Sequence, residues 1–322
     1  MSNSSFNSNY ISVSGGSGGS NSIQDFRLTL ASNTPVMTSQ VLAATTLYLT
    51  PYVGNKIALY NGSSSWNIIT SSQVSLSLSG FTADTNYDIF AYNNSGTVTL
   101  EALAWSNSGA GTSTRTTALE YQDGVLVKSG ATTRRYIGTI RTTGTTGQCQ
   151  FSFGGQSATA TEAKLFVFNY YNQVDVAAFV AIGDGSNSAY TYSQGSPSVY
   201  LFRAAGGNNS YRVSFICGMP ENDVSARYDG VYGAITSGSG SAGIAIGHNT
   251  TSSCKSSSFF IGAANSYVSL GCSAEILPSA GFNYVSALDV ASGGIVATYY
   301  YSGYFSNGGE ARVWGLCFRG KF

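Results

Sequence analysis

Short apolar runs, broken by turns rich in Gly and Asn, recur about every 10–12 residues along this chain. That spacing constrains the fold more than any other feature. Phe26, Leu28 and Leu30 alternate with other residues, as do Val74, Leu76 and Leu78 in VSLSLSG. A period of two places such residues on one face of a strand. KIALYNGSSSWNIIT sets Asn61-Gly62 between two apolar runs, which signals a hairpin. YDIFAYNNSGTVTLEALAW repeats the pattern, with Asn93 to Gly96 as its turn. YQDGVLVKSGATTRRYIGTIR holds two more turns, at Asp123-Gly124 and Ser129-Gly130. In the second half, Val213, Phe215 and Cys217 share a face, and so do Ile244, Ile246 and His248. ARVWGLCF puts Trp314, Leu316 and Phe318 on one face and Val313 and Cys317 on the other. A strand apolar on both faces belongs inside a sheet. The best helix start, TEAKLF after Thr161, runs into aromatic and β-branched residues within a turn. The expectation is an all-β chain of antiparallel β-sandwich or jelly-roll-like domains, with a flexible N-terminal arm.

Residues 1–22, ending in SVSGGSGGSNS, read as that polar arm. Its few apolar groups, Phe6, Tyr10 and Ile11, are its candidate anchors. A β-rich assembly domain is expected over 23–172 and a C-terminal sandwich head over 173–322, divided after the aromatic run FVFNYY.

Charged residues make up only 9% of the 322, with 15 Lys+Arg against 15 Asp+Glu. A hydrophobic content of 43% argues against disorder. The absence of a basic excess disfavours a nucleic-acid partner. No apolar run is long enough to insert in a membrane, and MSNSSFNSNY lacks the pattern of a secretory signal. The five cysteines show no CxxC spacing and read as buried reduced thiols, with a Cys254–Cys272 disulfide as the alternative.

The runs TPYVGNKIALYNGSSSWNIIT, SLSLSGFTADTNYDIFAYNNSGTVTLEALAW and YQDGVLVKSGATTRRYIGTIRTTG carry a dense likeness from about Thr50 to Gly144. They resemble a module of bacteriophage and prophage virion proteins. The stretch from VATYYYSGYF to VWGLCF is similar, more generically, to the sandwich heads of phage fibre and surface proteins. The resemblance implies a structural protein of a tailed phage virion, assembled in the host cytoplasm. It implies a fibre-type appendage, a homotrimer in which the arm docks on other virion proteins and the head meets a host glycan or receptor. A capsid decoration or cement protein shares fold, arm and oligomer. A surface-glycan depolymerase is the enzymatic alternative.

Lys128, Arg134 and Arg135 form a basic cluster, but adjacent strand residues point to opposite faces. The three make one patch only if a bulge intervenes, and structural charges at a turn or subunit contact are favoured over a basic contact for an anionic ligand. The single histidine, His248, reads as structural. Glu221, Asp223 and Asp229 could supply the two carboxylates of a glycosidase, and the loop at Asp184 lacks the distal Glu of a calcium site. No catalytic residue, metal or cofactor is therefore expected. The 22 tyrosines suit a recognition surface, with Tyr299, Tyr301 and Tyr304 as candidate surface contacts.

Overall fold

The computed structural model describes residues 20–155, 162–181, 189–193, 201–205, 209–237, 239–263, 266–292, 295–300 and 315–322. Over these the regular structure is β-strand joined by turns and loops, with a short 3-10 turn at Ser20–Ser22. The expected anchors Phe6, Tyr10 and Ile11, the surface candidates Tyr301 and Tyr304, and the loop at Asp184 lie outside the described residues.

The turns explain why strands form where they do. Asp123 and Gly124 both take positive φ, 51° and 80°, and Ser95 and Gly96 do likewise, 52° and 91°. Two left-handed residues in succession match the right-handed twist of the flanking strands, so each pair closes a tight hairpin. At the Asn61 loop the side chain works instead. Asn61 Oδ1 accepts the N–H groups of Ser63, Ser64 and Ser65, at 2.9, 3.0 and 3.2 Å, and so satisfies the loop backbone locally.

Five sheets result. Thr46–Pro51 lies between Phe26–Thr29 and Val74–Ser77. Lys56–Tyr60 and Trp66–Thr70 form a separate hairpin. A six-stranded sheet runs from Thr97–Ala104 through Asn86–Asn94, Ala131–Arg141 and Val125–Lys128 to Leu119–Gln122, with Val167–Asn169 attached to Ala131–Arg141. Two large sheets then make a sandwich. One is centred on Gly281–Ser292, which pairs with both Arg212–Cys217 and Ser239–His248. The other is centred on Val224–Ser237 and Gly315–Lys321. Phe215 of the first sheet meets Phe318 of the second with ring centroids 5.0 Å apart.

Tyr299 belongs to this interior. It is fully buried, and its hydroxyl donates to Val290 O at 2.8 Å and lies 3.0 Å from Gly243 O, from one sheet to the other. The expected surface role is corrected by that position: the alternating face that holds Tyr299 is the one turned to the opposite sheet.

The division at residue 172 is not where the sheets separate. Val41–Ala44, Cys149–Ser152 and Ala163–Leu165 join the sheet of Arg212–Cys217 and Gly281–Ser292, and Ala163–Leu165 pairs parallel with Arg212–Cys217. The segment that looked most like a helix start is thus a strand, because Ala163 and Leu165 are buried against a neighbouring strand. Gly315–Lys321 is internal to its sheet, between Asp175–Ala181 and Val224–Ser237. Its Cys317 nevertheless faces outward and is exposed, against the expectation of burial. Cys254 and Cys272 are both free, so the alternative disulfide is not formed.

Gly138 marks the tightest approach in the six-stranded sheet: a Cβ there would stand 2.1 Å from the main-chain oxygen of Phe168. Gly124 has open space but a φ of 80°. Gly138→Ala is expected to lower stability by about 2–4 kcal/mol, through strand displacement. Gly124→Ala should cost about 1 kcal/mol, through backbone strain alone. Urea unfolding midpoints of the two variants test the order, and equal losses would contradict it.

Candidate functional site

Arginine, in this charge-poor chain, is spent inside. Arg135 is 1% exposed. Its Nη1 donates to three main-chain oxygens, Asn21 at 2.8 Å, Ile23 at 3.1 Å and Ala58 at 2.9 Å. Burial lowers its pKa, partly offset by the neighbouring Tyr171. Arg134, one residue earlier, points the other way and pairs with Glu101 at 2.6 Å, above the Tyr92 ring. Lys128 reaches the same carboxylate at 2.5 Å. The register between Val125–Lys128 and Ala131–Arg141 shifts at Val127/Lys128, and this irregularity lets Lys128 join Arg134. The basic cluster is thus divided: Lys128 and Arg134 share the single carboxylate of Glu101, and Arg135 is corrected from a surface contact to a buried staple.

Arg135 also underlies a row of aromatic rings. Trp66 opens the second strand of its hairpin opposite Tyr60, with ring centroids 5.4 Å apart. The guanidinium of Arg135 stands 5.9 Å from the Trp66 ring and 4.6 Å from the Tyr171 ring. Tyr171 packs edge-on against Tyr170 at 4.8 Å. Burial raises the pKa of the Tyr170 phenol, and the nearby Glu221 and Tyr121 raise it further. Tyr121 ends the row and is 64% exposed. Ile68, on the same face of its strand as Trp66, is 45% exposed. Polar groups rim the rings. Asp123 Oδ2 accepts Trp66 Nε1 at 2.9 Å and Gln122 Nε2 at 3.0 Å. The amide of Gln122 and the indole N–H of Trp66 hold the Asp123 carboxyl below its ordinary range. Asn21 Nδ2 donates to Asp123 O at 2.7 Å, so the segment entering from the arm is tied to the same turn.

A second feature is a cavity of about 330 Å³, lined by Arg27, Met37, Phe151, Phe153, Val167 and Phe322 among others. Its size and apolar lining suit a small ligand. Arg27, however, directs its donors away into the backbone, to Pro35 O and Phe322 O at 3.0 Å each and to Asn172 O, and desolvation brings its pKa down to about 10. Asp175 links this cavity to an open polar groove with Asp223, Glu275 and Arg319. Of the three acids read from PENDVSARYDG, Asp223 lines that groove, Glu221 lies beside Tyr170, and Asp229 is paired with Arg227. Among the described residues no group of three His, Cys, Asp or Glu converges as metal ligands would. His248 Nε2 lies 3.2 Å from both Asn283 Oδ1 and Asn249 Nδ2, and burial lowers its pKa.

Sequence reasoning missed the aromatic row and the cavity. Trp66 and Asp123 are 57 residues apart, and Arg135 and Ile23 are 112 apart. The available signal was the abundance of tyrosine, which gives no pairing.

No protein-family profile matches the chain, and no curated protein matches it. Among solved structures, one of carbohydrate-binding modules from the β-sandwich superfamily is similar over 85% of this chain and 94% of its own, with 8% identity and a TM-score of 0.22. Another, the Bacillus thuringiensis insecticidal crystal protein Cry7Ca1, is similar over 91% of this chain and 50% of its own, with 14% identity and a TM-score of 0.16.

Two outcomes are expected. Arg135→Met removes the donor to Asn21 O and to the buried Ala58 O, while Ile23 O keeps the Ala58 N–H, and should lower stability by about 2–4 kcal/mol, read by chemical denaturation. Burial alone would raise the Glu101 pKa, but the bonds from Lys128 and Arg134 outweigh it and carry it below the ordinary 4.5. A carboxylate depressed in the folded state stabilises above its unfolded pKa and loses that effect as pH falls through the folded one. Glu101→Gln should therefore cost up to about 1 kcal/mol at pH 7, since the pair is part-exposed, and the difference from wild type should shrink as pH falls below 4.5 through the depressed folded value. A difference independent of pH would contradict the pairing.

Proposed function

We propose that this chain is a structural protein of a tailed-phage virion, a fibre-type homotrimeric appendage that contacts the host surface. The aromatic row supports a contact role, because Trp66, Tyr121 and Asp123 all fall within Thr50–Gly144, the stretch that resembles phage virion modules. Partly exposed rings bind at low entropic cost, and fixed polar groups beside them supply orientation. With Tyr299 buried between sheets, the host-contacting role passes from the C-terminal head to this face. The arm enters beside it: Asn21 is held by Arg135 and by the Asp123 turn.

Gold-labelled antibody against the purified chain, applied to intact particles, tests the reading. Label at the tail is the expected result. Label distributed over the capsid favours the decoration role, and unlabelled particles that yield no chain on dissociation overturn a virion role.

A further inference from the structure

We infer that the row Tyr60–Trp66–Tyr171–Tyr170–Tyr121 is a binding platform for a neutral oligosaccharide, a substrate class that deepens, and rests on, the host-contact reading above. Three observations carry it. The rings form two touching pairs, Tyr60 with Trp66 at 5.4 Å and Tyr171 with Tyr170 at 4.8 Å, with Arg135 between Trp66 and Tyr171 and with Tyr121 beside Tyr170. A line of rings matches a chain of sugar units, each offering a C–H face to an aromatic surface whose face is electron-rich. Polar side chains stand at the edge of the row, where sugar hydroxyls would project. Asp123 is exposed and an acceptor only, and Gln122 provides both an amide donor and an acceptor.

The charge pattern selects neutral over acidic sugars. Asp123 is held ionised by its two donors, and Glu221 lies beside Tyr170. The nearest cation, Arg135, is 1% exposed and commits its Nη1 to three main-chain oxygens, so it does not present to a ligand. Lys128 and Arg134 are bound to Glu101. The charged groups exposed at the edge of the row are therefore carboxylates, Asp123 and Glu221, which disfavour a uronic acid or a sialylated chain there and offer fixed acceptors to hydroxyl groups.

Position adds a mechanical reason. Trp66 is locked on one side by its bond to Asp123 and on the other by Arg135, so its ring orientation is set before a ligand arrives. A preset ring loses little freedom on binding.

The test is calorimetric titration of the full chain with xylohexaose, cellohexaose, maltohexaose and mannohexaose, and with hexagalacturonate as the anionic probe. At least one neutral hexasaccharide should bind with a dissociation constant at or below about 1 mM. Tyr121→Ala removes an exposed ring and should weaken that binding at least about tenfold at an unchanged melting temperature. Asp123→Asn keeps a residue that tolerates the positive φ of the turn, and should narrow the preference for neutral over anionic probe. The inference is overturned if no neutral probe binds, if hexagalacturonate binds more tightly than all of them, or if Tyr121→Ala folds and binds as wild type. Because this measurement uses isolated protein, it separates from the virion reading. Tail label without sugar binding sinks only the platform, and sugar binding by a chain absent from particles sinks only the virion role.

Discussion

Guanidinium groups bonded to main-chain oxygens hold this structure together where strand pairing ends. Arg27 joins the first described strand to Pro35, Asn172 and Phe322. Arg135 joins Asn21, Ile23 and Ala58, and Arg141 reaches Ser108 O at 3.0 Å and the Asn86 side chain at 3.0 Å. Arg115 bonds Asp88 at 2.8 Å and Gly218 O at 2.5 Å. Loops between short strands leave carbonyls without ladder partners, and each buried one carries a penalty unless a donor is supplied. Arginine brings five donors in a rigid fork and keeps its charge, so one side chain satisfies several segments at once.

The aromatic row depends on the same device. Arg135 adds to the main-chain bonds between the entry segment and the Lys56–Tyr60 strand a single group that also reaches the Trp66 and Tyr171 rings. The Asp88 network plays the equivalent part between the six-stranded sheet and the loop after Arg212–Cys217. Thr139 Oγ1 donates to Asp88 at 2.7 Å, Tyr136 and Thr139 hydroxyls lie 2.6 Å apart, and burial pushes the Asp88 carboxyl upward against the pull of Arg115. A side chain at Gly218 would stand 2.2 Å from the Tyr136 hydroxyl, so the network and the loop close on one another. Rigid supports of this kind suit the contact role proposed above, since a binding face is useful only if its rings stay in place.

Much of the architecture was legible from residues in order. Alternation marked strands such as Val74–Ser77 and Arg212–Cys217, and Asp123-Gly124 and Ser95-Gly96 marked hairpins, because both signals depend on neighbours in the chain. The opposed directions of Arg134 and Arg135 follow from the same period of two. What these signals lack is the identity of the partner across space. Alternation placed Tyr299 on a face without saying whether that face met solvent or the second sheet, and it placed Cys317 in an internal strand without saying that its outer face is uncovered.

Strand character, turn positions and scarcity of charge were therefore determined by sequence alone, through local sterics and composition. Only the tertiary structure decided that Ala163–Leu165 crosses the expected boundary to pair with Arg212–Cys217, that Arg135 is interior, and that Trp66, Tyr121 and Tyr171 share one surface. The physical reason is that sheet order and loop docking are settled by which apolar faces and unsatisfied carbonyls can be buried together, and those contacts join residues far apart in the chain, 57 positions for Trp66 and Asp123 and 114 for Arg135 and Asn21.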